Sequence, residues 1–184
     1  IFMAPIHSSS EMIPTAIVLA TANARYAHIA FGLRWLWVNL GPYQQEAQCC
    51  EYTLRHSALE IAEDILRRKP RLVGLGVYIW NVRLMADVAA LLRTIQPDLW
   101  IVVGGPEVSW EAEAFPAYAA VDYVITGEGE AALPRLIERL WAGDAPSEKV
   151  LAPSPPDLAS LKLPYAAYAE EDLAHRVMYV EASR

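Results

Sequence analysis

The chain has 184 residues, is 54% hydrophobic and carries a formal net charge of −7, with a pI of about 5.1. That length suits one full domain with a short extension, and the acidic balance argues against a nucleic-acid partner held by phosphate contacts. No apolar run reaches the roughly 18 residues of a membrane span, so no membrane partner is expected. Cys49 and Cys50 are the only cysteines, which excludes a disulfide scaffold or a cysteine metal site and makes a reducing cytoplasm the expected location.

The chain divides by composition into four parts. Residues 1–14 lack the basic and apolar regions of a signal peptide and are predicted to be a leader. Residues 15–143 form the main domain. Residues 144–176 are rich in proline and are predicted to be a semi-rigid linker. Residues 177–184 begin with the strand-like VMYVE, which predicts the first strand of a further, truncated domain.

Within the main domain, apolar runs typical of strands alternate with helix-like stretches. The predicted strands cover residues 15–21, 48–54, 72–77, 100–103 and 122–126. The predicted helices cover residues 28–40, 57–68, 82–95 and 131–141, and a short helix broken at Pro116 is predicted over residues 111–118. This alternation predicts an α/β fold, a doubly wound five-stranded parallel sheet of flavodoxin-like (Rossmann-like) order 2-1-3-4-5. Val150-Leu151 is a candidate edge strand.

Three helices carry further signals. Ser57, followed three residues later by Glu60, predicts a capping box, and Asn81 is predicted to cap the helix that follows it. The helix over residues 28–40 has apolar residues on every face, which predicts wide burial, either within the domain or against a partner. Exposed apolar surface of this kind favours a homo-oligomer.

The predicted function lies in the loops at the carboxyl ends of the strands, where open α/β sheets bind their ligands. Gly104 and Gly105 end the fourth strand; paired glycines allow positive φ and leave no Cβ in the way of a ligand. A tight turn with no ligand is the alternative interpretation. Gly74 and Gly76 in the third strand favour close approach by another group.

The same loops exclude two common sites. Residues 22–26 contain no glycine, which argues against a dinucleotide or Walker site, and no acidic pair follows the first strand as in phospho-receiver domains. Glu128 and Glu130 could be a general acid and base, or could interact with a helix dipole from its first turn. Tyr26, Tyr78 and Trp80 at neighbouring strand ends predict a flat apolar surface for a large planar ligand.

Two of these loops resemble a known family. The stretches VVGGPEVS (102–109) and VITGEGE (124–130), together with ATANARY (20–26) and VYIWN (77–81), resemble the amino-terminal cobalamin-binding domain of cobalamin-dependent radical S-adenosylmethionine enzymes. The resemblance spans about residues 15–151 and implies cobalamin as the cofactor. The residues it implies as cofactor contacts are Asn23, Ala24, Arg25, Tyr26, Tyr78, Ile79, Trp80, Asn81, Gly104, Gly105, Pro106, Glu107, Val108, Gly127, Glu128, Gly129 and Glu130.

The resemblance also implies what lies outside this chain. In that family, a strand like residues 177–181 precedes a Cys-x3-Cys-x2-Cys motif that holds a four-iron cluster, and this sequence lacks the motif. The iron–sulfur cluster and S-adenosylmethionine are therefore expected only in a missing catalytic barrel, which would be the partner of this domain. The fragment alone is expected to be inactive, and the whole enzyme to be a methyltransferase or a related carbon-skeleton enzyme.

One departure concerns cobalt. Other cobalamin domains carry Asp-x-His-x-x-Gly after the first strand, whereas the aligned positions here are Asn23, Arg25 and His28. Arg25 cannot ligate cobalt because a guanidinium stays protonated. The resemblance thus implies base-off cobalamin with no histidine ligand from the protein. The alternative is a non-catalytic docking module that has kept the fold and lost the cofactor.

Overall fold

A computed structural model describes residues 15–181; the predicted leader over residues 1–14 lies outside the described residues. The strands are β1 (Ile17–Asn23), β2 (Ala47–Thr53), β3 (Leu72–Gly76), β4 (Trp100–Gly104), β5 (Tyr123–Ile125) and β6 (Val150–Leu151). The α-helices are α1 (Phe31–Val38), α2 (Ala58–Arg67), α3 (Val82–Ile95), α4 (Ala132–Trp141) and α5 (Glu170–His175).

The strands form one parallel sheet of order β2-β1-β3-β4-β5-β6. The predicted order is confirmed for the first five strands, but the predicted count of five is wrong because β6 adds a sixth. This edge strand has two residues, and the amides of Val124 and Thr126 donate to the Lys149 and Leu151 carbonyls at 2.8 and 2.9 Å. A pair of residues cannot show alternation, so its sequence could mark it only as a candidate.

Side chains alternate between the two covered faces of the sheet. In β1, Val18 and Ala20 belong to a core shared with α2 and α3, whereas Ile17 and Leu19 belong to a core shared with α1 and α4. All seven residues of β1 are buried. This two-sided burial is the reason that β1 is apolar from Ile17 to Ala20.

Two of the predicted helical features differ in the structure. The predicted helix over residues 111–118 is wrong: Ala112–Ala114 and Tyr118–Ala120 are separate 3-10 turns. Phe115 between them is extended, with ψ of 123°, because the proline that follows disfavours helical backbone. The capping box of Ser57 and Glu60 is confirmed. Asn81 occupies the N-cap position of α3, but its side chain makes no cap hydrogen bond.

The outer side of α1 is covered by residues 157–181, called here the C-terminal segment. It contains two 3-10 turns and α5. Phe31 of α1 stacks on Tyr165 with ring centroids 6.4 Å apart, and the Asn39 side chain forms two hydrogen bonds with the Lys162 backbone, at 2.8 and 3.0 Å. The wide burial predicted for this helix is thus met within the chain. Val177 forms an isolated parallel bridge with His28, and the assignment of residues 177–184 to a further domain stays a prediction.

Candidate functional site

A cleft of about 240 Å³ opens at the carboxyl edge of β3, β4 and β5, on the side that faces α1 and α4. Gly74, Gly76 and Gly104 lie on this face of the sheet, where larger side chains would reduce the space. Apolar side chains from the sheet and both helices complete its walls: Leu19, Leu33, Leu36, Val102, Ile125 and Leu133. The cleft therefore suits a flat, mainly apolar group that can approach the backbone closely.

Gly105 has a role different from the expected one. Its φ is +115°, and a Cβ there would lie 2.5 Å from the Val77 carbonyl oxygen. The Val77 amide donates to the Gly104 carbonyl at 2.8 Å. The expectation that this glycine leaves room for a ligand is therefore wrong for the Cβ position, because the close neighbour is the backbone after β3.

A serine links the two glycine loops. The Ser109 hydroxyl donates to the Gly105 carbonyl at 2.8 Å and accepts from the Gly127 amide at 3.1 Å. Gly127 has a φ of +70° and open space where a Cβ would be. Sequence reasoning did not single out Ser109, although it lies within the stretch that carries the resemblance.

The acidic residues of the second loop are both at the cleft, where Glu130 is buried and Glu128 is half-buried. The first turn of α4 contains no acidic residue. The Leu133 amide nevertheless donates to the Gly129 carbonyl at 2.8 Å, directly before Glu130, so both interpretations of these glutamates stay predictions.

Tyr78 and Trp80 form a stacked pair beside the cleft, with ring centroids 4.7 Å apart and planes 6° from parallel. The Trp80 indole donates to the Ala22 carbonyl at 3.1 Å, yet 46% of the residue is exposed. Burial, with a smaller contribution from Glu51, raises the pKa of Tyr78, so its hydroxyl stays protonated at neutral pH. The pair offers an exposed aromatic plane at the end of β3.

The Asn81 side chain fixes this aromatic loop. Its Oδ1 accepts from the Tyr78 amide at 2.8 Å, and its Nδ2 donates to Thr21 Oγ1 and the Ala22 carbonyl, each at 3.0 Å. Asn81 is buried, and its side chain joins the loop to β1.

The loop after β1 faces different neighbours from those predicted. Asn23 ends β1, is buried, and donates to the His28 carbonyl and Glu51 Oε2, each at 2.8 Å. The Tyr26 hydroxyl is 3.3 Å from Glu171, and its ring lies 5.1 Å from the Arg176 guanidinium carbon. Of the three predicted aromatic residues, the structure therefore stacks two, and it places Tyr26 against the C-terminal segment.

Eight of the seventeen predicted site residues line the cleft: Tyr78, Gly104, Gly105, Pro106, Gly127, Glu128, Gly129 and Glu130. The others lie outside its lining; Val108 is buried in the core beside α3, and Ala24, Arg25, Ile79 and Glu107 are exposed. Their contacts with a cofactor stay predictions. Among residues 15–181, no group of three or more histidine, cysteine or acidic side chains is placed to hold a metal ion.

A parallel sheet of this order, with a glycine-lined cleft at its carboxyl edge, defines a flavodoxin-like ligand-binding domain. The B12 binding domain family matches residues 17–137, and the chain belongs to that family. The resemblance noted in the glycine loops is confirmed.

Two curated relatives match part of the chain. A 2-(S-pantetheinyl)-carbapenam-3-carboxylate methyltransferase of Streptantibioticus cattleyicolor is 38% identical over 73 residues, 39% of this chain and 11% of the relative. The cobalamin-dependent radical SAM methyltransferase TokK of Streptomyces tokunonensis is 34% identical over 79 residues, 42% of this chain and 11% of the relative. The matches thus span about a ninth of each relative's length, and this chain is a cobalamin-binding domain related to cobalamin-dependent methyltransferases.

A solved structure supports the fold. A cobalamin-binding protein from Desulfitobacterium hafniense DCB-2 superposes with a TM-score of 0.50 at 15% identity, covering 68% of this chain and 59% of that protein. In the part of the chain described here, no helix has both the length and the apolarity to cross a bilayer.

Proposed function

We propose that the cleft receives the nucleotide tail of cobalamin and that the stacked Tyr78 and Trp80 support the corrin beside it. The observation that carries this proposal is the apolar cleft with its glycine floor at the carboxyl edge, in a chain of the B12 binding domain family. A benzimidazole is flat and apolar, as the walls require. The ribose and phosphate would meet backbone groups of the two glycine loops, where little side-chain volume intervenes.

The side chains near the cleft fit a cobalamin whose cobalt has no nitrogen ligand from the protein. None of the three histidines in the described residues lines the cleft. His28 is engaged elsewhere, since its Nδ1 lies 2.5 Å from the Tyr179 hydroxyl and the two rings are 6.0 Å apart. Arg25, at the position of the family's ligating histidine, is exposed and has no lone pair to offer. We therefore propose base-off cobalamin with no histidine ligand.

The activity of a whole enzyme that contains this domain is also a proposal. Both relatives are named as methyltransferases, and one as a radical SAM enzyme. We propose that this domain presents cobalamin to a radical SAM barrel, which would hold the iron–sulfur cluster and S-adenosylmethionine, for methyl transfer in the cytoplasm. That barrel would be its partner. Self-association stays a prediction, and the C-terminal segment already covers the outer side of α1.

Hydroxocobalamin titration followed by visible absorbance tests the proposed site. The unaltered chain should bind, and Gly104→Leu should abolish binding because its side chain would enter the cleft while its backbone is free of positive φ. Ala142→Leu, at the end of α4 and exposed, is the matched control and should bind normally. A folded, unaltered chain that fails to bind would favour a docking module without cofactor.

Electron paramagnetic resonance of the cobalt(II) form tests the proposed ligation. The spectrum should show no nitrogen splitting from the protein and should be unchanged in His28→Ala. Threefold nitrogen splitting that disappears in His28→Ala would show instead that His28 reaches the metal.

A further inference from the structure

Four charged side chains close a ring between the domain and its C-terminal segment. Arg34 of α1 pairs with Glu51 of β2 and, at 2.8 Å, with Asp172 of α5. Arg176 pairs with the same two carboxylates, at 2.7 Å to Glu51 and 3.1 Å to Asp172. The four side chains are only 9 to 13% exposed, so the ring is almost fully removed from water. Every carboxylate in it therefore has two guanidinium partners.

Arg176 also holds the backbone of residues 24–30, the loop that follows β1. Its Nε donates to the Tyr26 carbonyl at 3.1 Å and its Nη2 to the His28 carbonyl at 2.7 Å. The next amide, of Val177, donates to the Ala27 carbonyl at 2.7 Å. Three carbonyls of the loop thus accept hydrogen bonds from two consecutive residues of the C-terminal segment.

Glu51 holds the two ends of the same loop. Its Oε2 accepts from Asn23 Nδ2 at 2.8 Å and from the Ala30 amide at 2.7 Å, in addition to Arg176. Within the loop, the His28 amide donates to the Arg25 carbonyl, at the long distance of 3.2 Å. The Asn23 side chain also donates to the His28 carbonyl, at 2.8 Å. The conformation of the loop therefore depends on Asn23, Glu51 and Arg176 more than on contacts within the loop.

The ring consists of two halves that are each electrically neutral. Arg34 and Glu51 belong to the domain, whereas Asp172 and Arg176 are four residues apart on the C-terminal segment. If the segment leaves, each half keeps one ion pair and regains water, so separation creates no isolated buried charge.

We propose that Arg176 is a positioning residue: it fixes residues 24–30 and, through the preceding Ala22, whose carbonyl accepts from the Trp80 indole at 3.1 Å, the aromatic pair proposed to support the corrin. The inference rests on the proposed function for its second part only. A lysine could not replace it, because a single ammonium cannot reach two carbonyls and two carboxylates in the fixed geometry of a guanidinium. Arg176 itself is buried under the loop and acts on a cofactor only through that loop.

Hydrogen–deuterium exchange on the 184-residue chain without cofactor tests the first part. Arg176→Gln should raise exchange about tenfold or more in peptides from residues 24–30 and 157–181, and leave β3 and β4 unchanged. Arg176→Lys, the milder change, should give exchange between that of Arg176→Gln and that of the unaltered chain. Arg139→Gln removes an arginine that pairs with Asp144 on the exposed surface, and should leave all of these peptides unchanged. Exchange in residues 24–30 equal to that of the unaltered chain would overturn the inference.

Hydroxocobalamin titration of the same variants tests the second part. Arg176→Gln should raise the dissociation constant about tenfold, Arg176→Lys less, and Arg139→Gln not at all. A merely structural role would lower thermal stability without this graded loss of affinity. Equal affinity in a chain whose loop has become mobile would overturn the claim that Arg176 serves the cofactor site. Failure of the unaltered chain to bind would instead overturn the proposed function, while exchange would still decide whether Arg176 fixes the loop.

Discussion

The carboxyl edge of the sheet has two halves of opposite character. Over β3, β4 and β5 it is an open cleft whose floor is glycine. Its loops are held by the backbone bond between Val77 and Gly104 and by the side chains of Asn81 and Ser109. Over β1 and β2 it is covered by the C-terminal segment, and buried charges hold the chain there. The first half has small residues where a ligand could approach, and the second has Asn23 and Glu51, which need partners once buried. One edge of a parallel sheet thus has an open cleft and a covered surface side by side.

Gly105→Val, in the open half, should cause the largest loss of unfolding free energy. The new side chain would meet the Val77 carbonyl oxygen at 2.5 Å with φ held at +115°. Strain and displaced backbone together should cost about 4 kcal/mol of unfolding free energy, measured by urea denaturation. Gly127→Ala, where φ is +70° but space is open, should cost only about 1 kcal/mol. Similar losses in the two variants would mean that the contact with Val77 is unimportant.

Arg34→Met, in the covered half, should cause the next largest loss of unfolding free energy. It leaves Glu51 and Asp172 buried with one guanidinium between them, and should cost about 3 kcal/mol of unfolding free energy. Arg139→Met, in an exposed pair with Asp144, should leave the unfolding free energy almost unchanged in the same urea measurement. If the two arginine variants lost equally little, the ring would contribute no more than a surface pair.

Acidification should weaken the covered half by a smaller amount. Burial alone would raise the pKa of Asp172, but the hydrogen bonds from Arg34 and the Ala169 amide outweigh it and hold that pKa below its usual value. A lowered pKa in the folded state means stability that is complete above the unfolded value, about 3.9, and lost as pH falls through the folded value. The loss should be smaller than in Arg34→Met, because protonation leaves the carboxyl group able to form hydrogen bonds.

The variant Asp172→Asn separates the titration of Asp172 from that of other acidic residues. Asp64 also has a lowered pKa, because hydrogen bonds from Arg68 and Tyr52 outweigh its burial, and it will titrate in the same direction. The comparison is therefore between the unaltered chain and Asp172→Asn, as urea unfolding free energies from pH 6 down to about pH 3. The difference between them should shrink on acidification below about pH 4. A constant difference would mean that Asp172 does not titrate with folding.

The two halves were not equally predictable from the sequence. The open half follows from local patterns: apolar runs end in glycines, and parallel strands bring those ends to one edge. The charge ring joins residues 17, 125 and 138 positions apart, and no periodicity pairs such charges. Proline content predicted a linker over residues 144–176, but it carries no information about docking through Asp172. The role of Gly105 was also beyond the sequence, since only the structure shows that its neighbour is Val77.

Trp80→Leu should have the smallest effect on stability and the most informative effect on the open half. It removes the stack on Tyr78 and the indole hydrogen bond to the Ala22 carbonyl. The Ala22 carbonyl keeps the hydrogen bond from Asn81 at 3.0 Å, and 46% of Trp80 is already exposed, so urea denaturation should show a loss of about 1 kcal/mol.

Hydroxocobalamin affinity of the Trp80→Leu variant should fall about tenfold, because the exposed aromatic plane beside the cleft is lost. Trp110→Leu, at a residue 92% exposed, is the matched control for stability and should lose almost none. If Trp80→Leu lowered stability as stated but left affinity unchanged, the stacked pair would serve only to hold the end of β3 against β1, and the corrin would have to rest elsewhere on the edge.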